Sequence, residues 1–516
     1  MAEPLLTLLA ILPFVLLLLL LVIRKWPAIK AMPLTYVITL LIALFVWKIS
    51  LILTIASFIK GTFMAIEIML IIFGAIFFLQ ILKEKKQIAN LQSTLALISN
   101  DARVQAIVIA FLFGALIEGI AGFGTPAALA APLLVSIGFT PILAVILSLI
   151  ANSIPVSFGA AGTPILLGLG SLGLEREALL EITKNVALIH SIASFIIPLT
   201  LVFLVISYQT KKDKLKRFLE ILPFTIFAWL VFIIPYLLTA YYIGPELPSI
   251  IAGFTSLIII SLSAHYNFLV PKNKIILKKY KNKKISFINS LKALSPYLII
   301  IILLSLSRII LPLKNYLTSI TLSWNNILGQ SISYTFLPLF TPSFYFLLSA
   351  IFCVFIFRAS KREITKSLSE TFNKIKIPTL ALIFTLALVQ LIIVSNIPLI
   401  ITQSFSSLSK ELFILLSPFI GMFGSFIAGS NTVSNLLFGN FQFETAKSLG
   451  VSIILILSLQ VVGGAIGNMI AIHNVLAASA TVGLKGQEGK IIRKTIVVSI
   501  IYALITGIVG LIIFSF

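Results

Sequence analysis

Residues 427–435 read I-A-G-S-N-T-V-S-N, between apolar runs at 412–426 and 451–462. Two Ser, two Asn, one Thr and one Gly in nine residues make a poor surface for lipid. A buried amide or hydroxyl left without a partner costs about 1–3 kcal/mol by protein mutational data. At membrane depth such a stretch must face a cavity, a ligand or another protein segment. A weaker copy lies 307 positions earlier, where Ile120, Ala121, Gly122 and Thr125 match Ile427, Ala428, Gly429 and Thr432. The rest of the chain reads as scaffolding around this pair.

The chain has 516 residues, 59% of them hydrophobic and 10% charged, with a mean hydropathy of +1.15. A soluble domain carries about 25% charged residues, so this balance fits only a polytopic membrane protein. The net charge of +22 comes from 38 Lys and Arg against 16 Asp and Glu. These bases cluster between apolar runs, which marks cytoplasmic loops rather than a nucleic-acid-binding face. The single cysteine, Cys353, lies in an apolar run, and His190, His265 and His473 are scattered. No metal site and no disulfide framework is expected from them. No nucleotide-binding loop, nucleophile elbow or cluster of catalytic carboxylates appears, so neither a cofactor nor enzymatic chemistry is expected. Arg24 and Lys25 follow the apolar run 5–23 instead of preceding it, which predicts a first span with its N-terminus outside and no cleavable signal.

Apolar runs long enough to cross a bilayer recur at 5–23, 33–59 (with a break at Lys48), 61–82, 184–207, 218–240, 249–270, 289–311, 334–357, 377–398 and 494–516. Between 104 and 170, and again between 411 and 484, Gly, Pro, Asn and Ser interrupt shorter apolar pieces. Interrupted segments at corresponding places in two halves point to a transporter's binding site. The expected fold is therefore an all-α polytopic membrane protein of about 12–14 transmembrane segments, with two inverted repeats containing broken or re-entrant helices. Its expected divisions are scaffold spans at 1–103, a first transport block at 104–207, central scaffold spans at 208–410, and a second transport block at 411–516.

Basic residues orient the chain. The segments 83–86, 211–217, 272–284 and 358–376 are basic, whereas 241–248 and 399–410 carry almost no positive charge. With the basic loops inside, the first interrupted block starts from the cytoplasm after Arg103 and the second from outside after Lys410. The polar connections after the two blocks agree in sign. Glu175, Glu177 and Glu181 accompany Arg176 in the first, and Lys485, Lys490 and Arg493 accompany Glu488 in the second. The motif I-L-S-L also recurs, at 146–149 and 456–459. This topology puts the C-terminus outside as well.

Candidate substrate contacts follow from the polar clusters. Ser430, Asn431 and Thr432 offer hydroxyl and amide groups beside Gly429, where a ligand can approach the backbone. Gly122, Gly124, Thr125 and Pro126 form the first-half equivalent, and broken helices expose N–H groups that favour an anion. Asn152, with Ser153, Pro155 and Ser157, is a second interruption. Gly463, Gly464, Gly467, Asn468, His473 and Asn474 are its counterpart, and either set could instead be interhelical hydrogen-bond glue. Glu118 is the first choice for carrying a coupling proton, because an intramembrane carboxyl is costly when charged. His473 is the alternative, and His190 ranks lower. Glu67, in the third span, is likewise a candidate functional carboxylate or, equally, the structural partner of a buried base. Arg308 is placed to pair with a substrate carboxylate or to snorkel to the outer boundary.

Four stretches carry a resemblance: E-G-I-A-G-F-G-T-P at 118–126, L-I-A-N-S-I-P-V-S-F-G-A at 149–160, G-S-N-T-V-S-N-L-L-F-G-N at 429–440 and V-G-G-A-I-G-N-M-I-A-I-H-N at 462–474. Together they resemble the L-lactate permease family. That resemblance implies uptake of L-lactate, glycolate or a related 2-hydroxy monocarboxylate with protons across the plasma membrane. It also implies the ion-transporter superfamily's architecture, in which Ser-Asn-Thr motifs at broken helices grip a carboxylate and a mobile domain moves as an elevator. Ser430, Asn431 and Thr432 match that motif. The first half reads Phe123, Gly124, Thr125 instead, which favours protons over sodium. The expected partners are the small monocarboxylate, H⁺ and the bilayer, and a homodimer is an assembly the architecture allows. The rival readings are a sodium-coupled carrier of di- or tricarboxylates and a passive anion channel.

Overall fold

The computed structural model describes residues 3–515 without 18, 21–23, 25, 89, 91–94, 96–97, 123, 211–212, 278–286, 396, 398–399, 401–408 and 485–486. Phe123 and most of the segment 399–410 thus lie outside the described residues. Among the described residues ten helices are long and apolar enough to cross a membrane, or up to 11 if a bent pair counts as one span. The molecule is a multi-pass, nearly all-helical membrane protein.

Its N-terminal part runs α1 (Glu3–Leu17), α2 (Ala28–Phe45) and α3 (Leu51–Glu84). The expected break at Lys48 is present, with the backbone in the left-handed region at φ 53. The sequence expectation of a second break near residue 60 is corrected: α3 continues through Lys60 and Gly61 for 34 residues. Its start is capped by Ser50, whose hydroxyl accepts from the Leu53 N–H at 3.2 Å. Gly61 is there for packing instead. A Cβ on it would lie 2.6 Å from the Ala387 nitrogen, so two helices touch backbone to backbone, as small residues permit in membranes.

The first block follows as α4 (Ala102–Ala121), whose middle, Ala106–Phe113, is π-helical, then α5 (Thr125–Ser136), α6 (Pro141–Ala151) and α7 (Gly159–Leu166). Next come α8 (Arg176–Ala193), α9 (Ile196–Gln209), α10 (Lys214–Tyr242) and α11 (Pro248–His265). The central part holds α12 (Phe287–Ile309), α13 (Leu311–Ser319), a hairpin of β1 (Leu322–Trp324) and β2 (Tyr334–Phe336), then α14 (Pro342–Ile356) and α15 (Lys361–Val394). The run read as a span at 334–357 is thus a strand and loop followed by the shorter α14. The second block is α16 (Lys410–Ala428), α17 (Asn431–Leu449), α18 (Ile453–Gly467), α19 (Ile472–Thr481) and α20 (Glu488–Ser515).

Packing sorts these helices into two groups. In one, α3 lies antiparallel along α15, with α2 and α14 against the pair and α12 on α14. Lys366 reaches Glu84 at 2.9 Å and Lys85 reaches Glu363 at 3.3 Å at its basic end. In the other, α8 packs on α18 and α20, α19 on α5 and α6, and α17 on α7, so the two interrupted blocks interlock. Helices α10 and α11, within the segment expected to be central scaffold, pack with α4, α8 and α9 in this second group. The main contacts between the groups are few: α3 meets α4 and α7, α15 meets α17, and α11 meets α12.

Close approaches through glycine hold the second group together. Cβ atoms on Gly463 and Gly467, four residues apart, would lie 2.1 Å from the Pro418 and Met422 carbonyl oxygens of α16. This is the small-xxx-small pattern of membrane helix pairs. Outward, α20 shows Ile500, Leu504, Ile508 and Ile512 at a spacing of four, a stripe suited to acyl chains. Arg103, read as a cytoplasmic charge, is fully buried beside Asp101 at 2.6 Å. It also donates to the carbonyls of Arg217 and Asn273, so four of its five N–H groups are paired.

Candidate substrate site where the broken helices meet

Three helix breaks meet in the second group. Helix α4 stops at Ala121 because Gly122 and Gly124 adopt φ of +59° and +77°, which side-chain-bearing residues rarely reach. Helix α16 stops at Ala428 in the same way, with Gly429 at φ +73°. Ser430 then caps α17, its hydroxyl accepting from the Val433 N–H at 3.4 Å. The third break is the interruption read at Asn152, Ser153, Pro155 and Ser157, and it extends further than expected. After α6 a short 3-10 turn, Pro155–Phe158, leads to Ala160, Ala161 and Gly162, all in the left-handed region. Two alanines held there are strained, and such strain persists where surrounding packing leaves no alternative.

This strained turn delivers Thr163 to the centre. Its hydroxyl lies 3.3 Å from that of Thr432, and Asn435 donates to the neighbouring Pro164 carbonyl at 2.9 Å. Thr163 is a residue the sequence reading missed. Its signal was available, since G-T-P occurs twice, at 124–126 and 162–164. Around the two threonines is a cavity of about 20 Å³ whose walls include Glu118, Gly122, Gly159, Ser430, Asn431 and Asn468. That is room for about one water molecule.

Glu118 is buried in this wall and accepts from the Asn152 amide at 2.8 Å. Its other oxygen occupies the place where Gly159 would carry a side chain, 2.3 Å from an ideal Cβ. Gly159 is therefore demanded by the carboxyl. Asn431 donates to the Val461 carbonyl at 3.1 Å, and its Oδ1 is buried with no hydrogen-bond partner among the described residues. The Oδ1 of Asn152 is in the same condition. A buried acceptor without a donor is costly; of the two residues only Asn431 lines the cavity, where a ligand hydroxyl or water could donate to it.

The other expected contacts are distributed around this cavity. Gly429 lines it, and the exposed His473 imidazole stands over that glycine, 3.1 Å from where a Cβ would be. Gly124 faces the Asn474 amide oxygen, and Asn474 donates to Asn468. Thr125 is half-buried at the start of α5, its N–H donating to the Gly122 carbonyl at 3.0 Å, and it is absent from the cavity wall. The side chain of Arg308 lies outside what the structure describes. Glu67 belongs to the other helix group and accepts from the Tyr334 hydroxyl at 2.7 Å, so its partner is a phenol and not a base.

Behind the site runs a polar network. Gln460 donates to Ser434 and Asn435, and Gln442 donates to Gln460 and to the Ser417 carbonyl. His190 is fully buried between the Ser157 hydroxyl at 2.8 Å and the Tyr502 hydroxyl at 2.6 Å. These partners lie on the third break and on α20, so the imidazole ties the two together. Among the described residues no three His, Cys, Asp or Glu side chains gather as a metal site would need.

The sequence profile of the L-lactate permease family matches residues 6–516. A putative L-lactate permease of Haemophilus influenzae is 34% identical over 528 aligned positions, 97% of each chain. The L-lactate permease of Bacillus subtilis is 29% identical, covering 85% of this chain and 83% of its own. The glycolate permease GlcA of Escherichia coli is also 29% identical, covering 92% and 90%. Among solved structures, the YdaH transporter of Alcanivorax borkumensis aligns over 85% of this chain and 83% of its own, with a TM-score of 0.43 and 13% identity. Profile and relatives both run almost end to end, and this chain belongs to the L-lactate permease family.

Proposed function

We propose that the protein imports L-lactate, glycolate or a related 2-hydroxy monocarboxylate together with a proton across the plasma membrane. The observation that carries this reading is the convergence of Glu118, Thr163 and Thr432 on one buried cavity. The α17 N-terminus presents backbone N–H groups and the positive end of its dipole to a carboxylate. Ser430 uses its hydroxyl on Val433, which leaves the N–H groups of Asn431 and Thr432 for the ligand. The unpaired oxygen of Asn431, which lines the cavity, suits the substrate's 2-hydroxyl as donor. A proton on Glu118 makes the loaded site neutral, and moving a neutral load through the low-dielectric core avoids the cost of an unpaired charge.

The two weakly joined helix groups support an elevator, with α4–α11 and α16–α20 moving as the transport body against α2, α3, α14 and α15. In this reading the interrupted blocks are inverted repeats, the basic ends of α3 and α15 face the cytoplasm, and both termini lie outside. A cavity of about 20 Å³ is too small for a three-carbon acid, so loading must part Thr163 from Thr432. Counterflow in proteoliposomes tests the function: trans-loaded L-lactate accelerates uptake of labelled L-lactate or glycolate, also with sodium replaced by choline. No acceleration by either acid refutes it, and a requirement for sodium refutes proton coupling.

A further inference from the structure

Arg176 opens α8 with its guanidinium carbon 5.3 Å from the centre of the Phe340 ring. It also lines a second chamber, about 190 Å³, whose walls include Glu67, Thr163, Glu246, Thr335 and Leu337. Thr163 lines the central cavity too, so the two spaces adjoin at this residue. The chamber lies between the helix groups. Glu67, Thr335 and Phe340 come from the α3 group, and Thr163, Arg176 and Glu246 from the other. It is remote from the basic ends of α3 and α15, since Glu67 stands about 25 Å along α3 from Glu84 at the usual helical rise. Arg176 opens α8 in the connection that the positive-inside reading puts outside, so the chamber is taken to open toward the outer side.

We propose that this chamber is an outer binding site for a 2-hydroxy monocarboxylate, where Arg176 receives the carboxylate before it passes Thr163 into the central cavity. This rests on the transport reading above. The chamber is ample for a three-carbon acid, and Arg176 is the one cation among its described lining residues. Stacking on Phe340 engages the guanidinium's face and leaves its in-plane N–H groups to grip a carboxylate. Glu67 and Glu246 are the remaining charged groups in the wall. They can accept from a ligand hydroxyl, and they repel a second carboxylate. The chamber therefore selects one negative charge plus one donor, which describes a 2-hydroxy monoanion, and discriminates against dicarboxylates. Arg176 is exposed, so it binds weakly, as suits a site that must release its ligand inward.

Proteoliposomes of the full-length protein test this. Arg176→Gln raises the external KM for L-lactate about tenfold, the value of one charge-assisted contact, with a smaller effect on maximal rate and none on the internal KM for efflux. Arg176→Lys loses less, because it keeps the charge without the fork. Leu337→Cys, labelled from outside by a membrane-impermeant anionic methanethiosulfonate, stops uptake, and external L-lactate slows the labelling. Malonate competes poorly in the wild type and better in Glu67→Gln, whose amide oxygen still accepts from Tyr334. An external KM in Arg176→Gln within about twofold of wild type overturns the proposal, as does full labelling of Leu337→Cys without loss of uptake. Wild-type protein that moves neither lactate nor glycolate refutes the transport reading instead, so the two failures are distinguishable.

Discussion

The hydroxyls of Thr163 and Thr432 lie 3.3 Å apart although 269 residues separate them in the chain. One follows a left-handed turn in the first block, and the other sits in the first turn of α17. Each is thus held by a helix break, and their contact joins the two blocks at the cavity. Thr163→Val and Thr432→Val keep the shape and remove the hydroxyl. Each is expected to cut the uptake rate about tenfold, the value of one lost ligand hydrogen bond. The double variant should lose less than the product of the two, because both act on one ligand position. Initial uptake rates at matched expression check this.

Glu118 should separate coupling from carriage. Glu118→Gln keeps the size and the contact with Asn152 but cannot release a proton. It is expected to retain counterflow of L-lactate and to lose accumulation driven by a pH gradient. Equal loss of both activities would assign Glu118 to binding alone.

Gly159→Ala tests the same carboxyl through its neighbour. The added methyl would stand 2.3 Å from Glu118 Oε1, so the carboxyl must leave its place beside Asn152. Overpacking of this kind costs about 1–3 kcal/mol. We expect a lower melting temperature in detergent and loss of both counterflow and proton-driven uptake, with counterflow alone partly restored in Gly159→Ala/Glu118→Ala, where room is regained.

His190 is a stability prediction. Removing one partner of a buried pair leaves the other unsatisfied and costs about 1–3 kcal/mol. Tyr502→Phe and Ser157→Ala should each lower the melting temperature. His190→Phe combined with Tyr502→Phe should be milder than the sum of the singles, since both polar groups then leave together.

Much of this was legible in the sequence and some was not. The breaks at Gly122 and Gly429 were readable because glycine beside Ser, Asn and Thr has no reason to sit in an apolar run otherwise. Glu118 was readable because a carboxyl there is expensive. Thr163 was not singled out, because it depends on Ala160 and Ala161 adopting a backbone that alanine seldom takes, and only tertiary packing imposes that. The boundary expected at Lys60, between the runs 33–59 and 61–82, does not exist, because one charged residue does not end a helix whose neighbour Gly61 admits a packing partner. His190 ranked low for a similar reason: its partners, Ser157 and Tyr502, are distant in the chain and meet it only through the packing of α8 on α20.

The most direct measurement is the internal pH of dye-loaded proteoliposomes on addition of external L-lactate or glycolate, without sodium and with the membrane potential clamped. The account predicts rapid internal acidification with wild-type protein and none with Glu118→Gln at equal reconstitution. Lactate flux without acidification, or acidification that survives Glu118→Gln, would contradict it.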